Sequence, residues 1–166
     1  MLIEPALRRL RVALCAIARR VARTPLESDD PTLYPFIPKS NAKLRAGQFW
    51  AIPLSDGRFA CGRVMRAPAY GQSDRVGVQV GLMNWVGSQP PTANDLRGVS
   101  VIDEAISRFE AISGAGGAIL GFRDLALDCI KARHYLSLEV GSSTHGWGWK
   151  VIAAKAEERF VSRSAA

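Results

Sequence analysis

The 166-residue sequence has few of the side chains that do chemistry by themselves, with three cysteines and two histidines. Cys15, Cys61 and Cys129 lie far apart. An odd count without C-x-x-C spacing argues against both a disulfide framework and a zinc site, and a reducing, cytoplasmic setting is the expectation. His134 and His145 have no second ligand at metal spacing. Long apolar runs are lacking too: the longest near the start is "VALCAI", far short of the roughly 20 residues a membrane helix needs, and no small-residue cleavage site follows it. Secretion and membrane spanning are disfavoured. No G-x-S-x-G, H-E-x-x-H or Walker pattern occurs. Catalytic, metal and cofactor-binding residues are therefore all expected to be none, and the chain reads as a non-enzyme.

Hydrophobic residues make up 48% of the chain, enough at this length for one core. The formal net charge of +7 suggests nucleic acid until its location is considered. Residues 1–24 hold Arg8, Arg9, Arg11, Arg19, Arg20 and Arg23 against Glu4, a balance of +5, which leaves +2 for residues 25–166. The basic character belongs to one end, and nucleic acid is a disfavoured partner.

That end reads as an amphipathic helix. Ile3, Leu7, Leu10, Leu14, Ile17 and Val21 recur at spacings of 4, 3, 4, 3 and 4, with Pro5 in the first turn. Its arginine-rich back could meet an acidic partner or a membrane surface; alternatively the helix lies across its own domain, or the start codon is placed too early. Residues 25–45, with several prolines and the acids Glu27, Asp29 and Asp30, form a linker or a loop draped over the remainder, residues 46–166.

"GQFWAIPLSDGRFACGRV", residues 47–64, is a β-hairpin. A two-residue turn at Asp56-Gly57 would place Pro53 at a hydrogen-bonded position, where proline has no N–H to give. A three-residue loop, Ser55-Asp56-Gly57 with Gly57 left-handed, pairs Leu54 with Arg58 and moves Pro53 opposite Phe59 at a non-hydrogen-bonded site. It also sets Trp50 across from the bare backbone of Gly62. Trp50, Ile52, Leu54, Ala60 and Val64 then share a core face, with Phe49, Cys61 and Arg63 on the other.

Downstream, residues 75–87 alternate as a half-buried strand. Ser100 is placed to cap a helix with an Ile102, Ile106 and Phe109 stripe and with Asp103 and Glu104 at its positive end. "SGAGGAILG" follows a segment of helical period rather than a strand, so it reads as a helix end and turn instead of a phosphate loop. "AILGFRDLALDCIKA" fits strand or helix. "HYLSLEV" and "WGWKVIA" alternate as two late strands, and residues 154–161 suggest a closing helical turn. The fold class expected is α+β: a small antiparallel, SH3-like or barrel-like curled sheet with one or two helices and the added N-terminal helix.

Exposed aromatics are the remaining functional candidates. Trp50, Trp85, Trp147 and Trp149, with Arg63 and Arg66, are the residue types enriched at protein-binding hot spots. The alternative for each tryptophan is a place in the core. Cys61 could pair in space with a histidine as nucleophile and base, but a lone strand cysteine is more often a small buried hydrophobe.

Gly47, Phe49, Ile52, Pro53, Leu54, Gly57, Phe59, Gly62, Arg63 and Val64 resemble the opening of the immunity protein 26 family of bacterial polymorphic toxin systems. "WGWKVIA", with Trp149 and Ile152, is similar to a tryptophan-bearing late strand of that family. The resemblance spans about residues 46–152 and implies a cytoplasmic α+β protein of contact-dependent bacterial competition that binds and neutralises a cognate toxin domain. The arginine-rich helix departs from the family pattern, and no catalytic residue carries over. A barrel opening with Gly, apolar residues and Pro-Leu also looks like the endoribonucleases of the MazF type, and a nonenzymatic nucleic-acid-binding barrel is a third reading. Both need a basic groove, and residues 25–166 are only +2.

Overall fold

The structure is a computed structural model that describes residues 33–68, 77–114, 117–134 and 146–162. The expected N-terminal helix over residues 1–24 lies outside them, as does most of the expected "HYLSLEV" strand.

Five strands, β1 (Gln48–Pro53), β2 (Phe59–Arg66), β3 (Val78–Gly87), β4 (Val101–Ser107) and β5 (Ile119–Phe122), form one sheet in the order β4-β3-β2-β1-β5. Every neighbouring pair is antiparallel. The first four strands run as a meander, and β5 returns beside β1. A one-turn helix, α1 (Glu110–Ser113), joins β4 to β5, and α2 (Val151–Phe160) follows later in the chain.

The hairpin has the three-residue loop. Leu54 N–H donates to the Arg58 carbonyl at 2.9 Å, Gly57 N–H donates to the Leu54 carbonyl at 3.1 Å, and Gly57 has φ +84°. Pro53 faces Phe59 and Trp50 faces Gly62. A Cβ on Gly62 would lie 2.2 Å from the Trp50 ring, so only glycine admits the indole. Asp56 closes the loop by accepting from the Arg58 N–H at 3.0 Å and pairing with its guanidinium. The turn is tied to α2: Ser55 donates to Glu157 from both its N–H and its hydroxyl, and Arg58 donates to the Phe160 carbonyl at the C-terminal end of α2.

Both faces of the sheet are covered. On the first, Trp50, Ile52, Leu54, Ala60 and Val64 pack with Val78, Val80 and Leu82, and α2 inserts Ile152, Ala156 and Phe160 at intervals of four. On the second, Phe49, Cys61, Met83 and Leu96 form a smaller apolar cluster. Leu44, just after a 3₁₀ turn at Asn41–Lys43, is fully buried in the first face. Phe36 bridges Ile119 on the outer edge of β5 through two backbone hydrogen bonds of 3.1 and 2.8 Å. Leu44 and Phe36 thus hold this stretch against the sheet.

Three expectations are corrected. The helix expected after Ser100 is strand β4, with only Glu110–Ser113 helical. A register shift there passes from Leu82↔Asp103 to Met83↔Val101, skipping Ile102. This bulge and the two-sided burial erase the period of two that would have marked a strand. "WGWKVIA" is not a strand: Gly146–Lys150 is a turn, held to β4 by Trp147 N–H on the Ile106 carbonyl at 2.8 Å and by the Ser107 hydroxyl on the Trp147 carbonyl, and Val151 starts a helix. The segment 153–159 is dominated by Ala, Lys, Glu and Arg, all strong helix formers, and Ile152, Ala156 and Phe160 give it a buried stripe. Cys129 is disulfide-bonded, against the expectation that the odd, widely spaced cysteines form no disulfide framework. The odd count hid this, because one pair still leaves one cysteine over.

Candidate functional site

The sequence candidates fall into three places. Trp50 and Arg63, expected as surface anchors, are 1% and 0% exposed, and neither can meet a partner. Trp50 is core because Gly62 opens a slot for it. Arg63 is buried because a carboxylate far along the chain meets it.

That carboxylate is Asp128, in the 3₁₀ turn Leu125–Asp128, with its side chain fully buried. Arg63 Nη1 donates to Oδ2 at 3.0 Å, Arg123 donates through Nε and Nη2 at 2.8–3.0 Å, and the Gly98 N–H donates to Oδ1 at 3.0 Å. Arg63 Nη2 also donates to the Arg123 carbonyl, while its Nε is buried with no hydrogen-bond partner. Burial pushes the Asp128 carboxyl up, but the donors from Arg123, Gly98 and Arg63 outweigh it and hold the group below the usual carboxylate range. The clasp joins β2, the segment before β4 and the segment after β5.

Further along the same face, Gln79 Nε2 donates to Glu104 Oε2 at 2.8 Å and to the Arg133 carbonyl at 3.0 Å, and Glu104 Oε1 accepts from the Arg133 N–H at 3.0 Å. Gln79 Oε1 is buried without a hydrogen-bond partner. Cys61, also on this face, is fully buried, and burial raises its thiol far above the ordinary range; it is an inert core residue rather than a nucleophile. Among the described residues no group of three His, Cys, Asp or Glu side chains could hold a metal ion.

Arg66 is exposed at the end of β2, opposite Gln79. Trp85 is half-buried nearer the other end of the same strand pair, its ring over Gly87 and against the second-face cluster. The register keeps these two apart.

Trp147 and Trp149 do come together, in the turn before α2. Trp147 packs on the first-face core and is held by its backbone, its N–H on Ile106 and its carbonyl accepting from the Ser107 hydroxyl at 3.0 Å. Lys155 Nζ lies 5.3 Å from the Trp147 ring centroid and 2.9 Å from Asp103 Oδ2. Trp149 is 44% exposed, lies over Gly114 at the end of α1, and carries Lys150 Nζ 4.6 Å above its ring. The indole is rigid, and the ammonium over its face is held by attraction to the ring's negative π-face.

Sequence reasoning missed Asp128, Arg123, Gln79 and Glu104. The residues that meet across the sheet are 25 to 65 positions apart in the chain, and nothing local marks them. It also passed over Lys150 and Lys155, which the tryptophans beside them could have flagged.

The chain gives no significant match to family models, to curated proteins or to solved structures. Among the described residues no helix is long and apolar enough to cross a membrane.

Proposed function

We propose that this chain is a non-catalytic immunity protein that binds one cognate bacterial toxin domain and neutralises it by protein–protein contact. The observation that supports the reading is the hairpin, where the resemblance to the immunity protein 26 family lies. Its motif residues have stereochemical reasons to be what they are: Gly47 at φ +98°, where a Cβ would lie 2.6 Å from the Arg123 carbonyl oxygen, Pro53 at a position that needs no N–H, Gly57 at φ +84°, Gly62 beneath Trp50, and Arg63 on Asp128. These residues are accounted for by the fold, so the motif supports the family likeness and does not mark a partner surface. The topology favours the finer reading of the fold as SH3-like: a bulged antiparallel meander, a single helical turn, and a last strand returning to the first.

Co-expression tests it. Cells producing the toxin domain encoded beside this gene should survive when the protein is present and die without it. The purified protein alone should leave RNA intact. Survival unaffected by the protein overturns the reading, and RNA cleavage by the protein alone promotes the MazF-type alternative. Arg63→Glu, attractive from sequence, would here test folding rather than the interface, because the side chain is buried.

A further inference from the structure

We infer that the toxin docks on the corner formed by Trp149, Lys150 and Arg108, and that what it brings there is an acidic loop with an apolar side chain beside its carboxylate. This rests on the immunity reading and assigns the surface and the chemistry of its partner.

The corner offers an apolar plate. Trp149 is 44% exposed, while its ring is supported from below by Gly114, where a Cβ would come within 2.8 Å of it. The plate is fixed in place by neighbouring backbone bonds: Trp147 N–H to Ile106, the Ser107 hydroxyl to the Trp147 carbonyl, and Val151 N–H to the Gly148 carbonyl at 3.0 Å. A rigid, exposed indole loses little conformational freedom on binding, which is the usual property of an anchor residue.

The charges around the plate are positive on balance. Lys150 stands over the ring, and Arg108, next in the chain after Ser107, is exposed; among the described residues neither is in an ion pair. Of the acids nearby, Asp103 is on Lys155 at 2.9 Å, and Glu110, with Oε2 buried and without a hydrogen-bond partner, offsets one of the two cations. The helix that starts at Val151 has no acid in its first turn and no side-chain cap, so its positive end adds to the same field. Complementarity then selects a carboxylate, with apolar contact to the indole.

The test is titration of the purified full-length protein against the toxin domain encoded beside it, followed by heat flow in low and high salt. Trp149→Ala and Lys150→Glu should each weaken binding by roughly tenfold or more, as anchor residues do. Lys150→Glu should lose more in low salt than in high, and Arg159→Glu, on α2 away from the corner, should change little. Circular dichroism should show all three folded. If Trp149→Ala fails to fold, Lys150→Glu decides, because it removes no buried group. Binding by the wild type with both corner variants within twofold of it overturns this inference and leaves the immunity reading standing. No binding by the wild type overturns both.

Discussion

The two faces of the sheet are both buried and are built on opposite principles. The first is closed by α2 and is apolar throughout, with Trp50, Ile52, Leu82 and Ile152 all within 1% of full burial. Its stability is a sum of transferred area, at about 1.5–3 kcal/mol for each large side chain. The second has only four apolar residues in its buried cluster, and beside them a guanidinium, a carboxylate, an amide and a second carboxylate. Its stability is all-or-none at each pair, since a buried charge costs several kcal/mol when its partner is removed. One face tolerates small losses; the other should fail at single atoms.

The largest expected effect breaks the second face. Asp128→Ala leaves Arg63, with no exposure, facing no carboxylate, and should cost about 3–5 kcal/mol in denaturant unfolding. Replacing both partners, Arg63→Met with Asp128→Leu, should cost less than Asp128→Ala alone, because no charge is then stranded. A single variant within about 1 kcal/mol of wild type would erase the contrast between the faces. The same group gives this face an acid dependence. The Asp128 carboxyl titrates below its ordinary 3.8 in the folded protein, so its contribution is present above that value and is lost as pH falls through it towards the folded pKa. Stability measured from pH 6 to pH 2 should fall more steeply for wild type than for Asp128→Asn.

The first face should give way more gently. Ile152→Ala removes a buried side chain from α2 without stranding any polar group and should cost about 3 kcal/mol with no added acid dependence. A loss that itself varied with pH below 4 would mean that the two faces are coupled through the sheet rather than independent.

How much of this could be read in the chain follows the same division. The hairpin was legible because its determinants are neighbours: a proline that cannot donate, an Asp-Gly, and a tryptophan with a glycine across from it. These fixed the loop length, the pairing of Pro53 with Phe59 and the sorting of Trp50, Ile52 and Leu54 from Phe49 and Cys61. Arg63 was sorted to the correct face and then misjudged, since arginine is exposed unless matched and its match is 65 residues away. β4 was misread because a bulge at Ile102 and burial on both sides leave no period of two; the helix expected over residues 154–161 is present, but its start at Val151 was assigned to a strand because two tryptophans separated by glycine mimic strand alternation just before it. At the candidate surface, the pairing of Trp147 with Trp149 was visible. Which of them is exposed depends on Gly114 and Ile106, and that was not.

The smallest effect calibrates the comparison, because it touches neither face. Gly57 sits at the tip of the hairpin, where a Cβ would meet nothing within 4 Å, so Gly57→Ala neither opens a cavity nor crowds a neighbour. What it does is hold an L residue at φ +84°, where the side chain approaches its own following carbonyl. The expected cost is about 1 kcal/mol, partly offset by the smaller freedom of alanine in the unfolded chain. Gly57→Asn, a residue that enters the left-handed region more readily, should recover part of it. The turn is also joined to α2 through Ser55 and Glu157, so a strained loop could loosen that contact. Combining Gly57→Ala with Glu157→Ala separates the two: costs that simply add place the loss in the backbone of residue 57, whereas a cost smaller than the sum places part of it in the clasp between the hairpin and the helix.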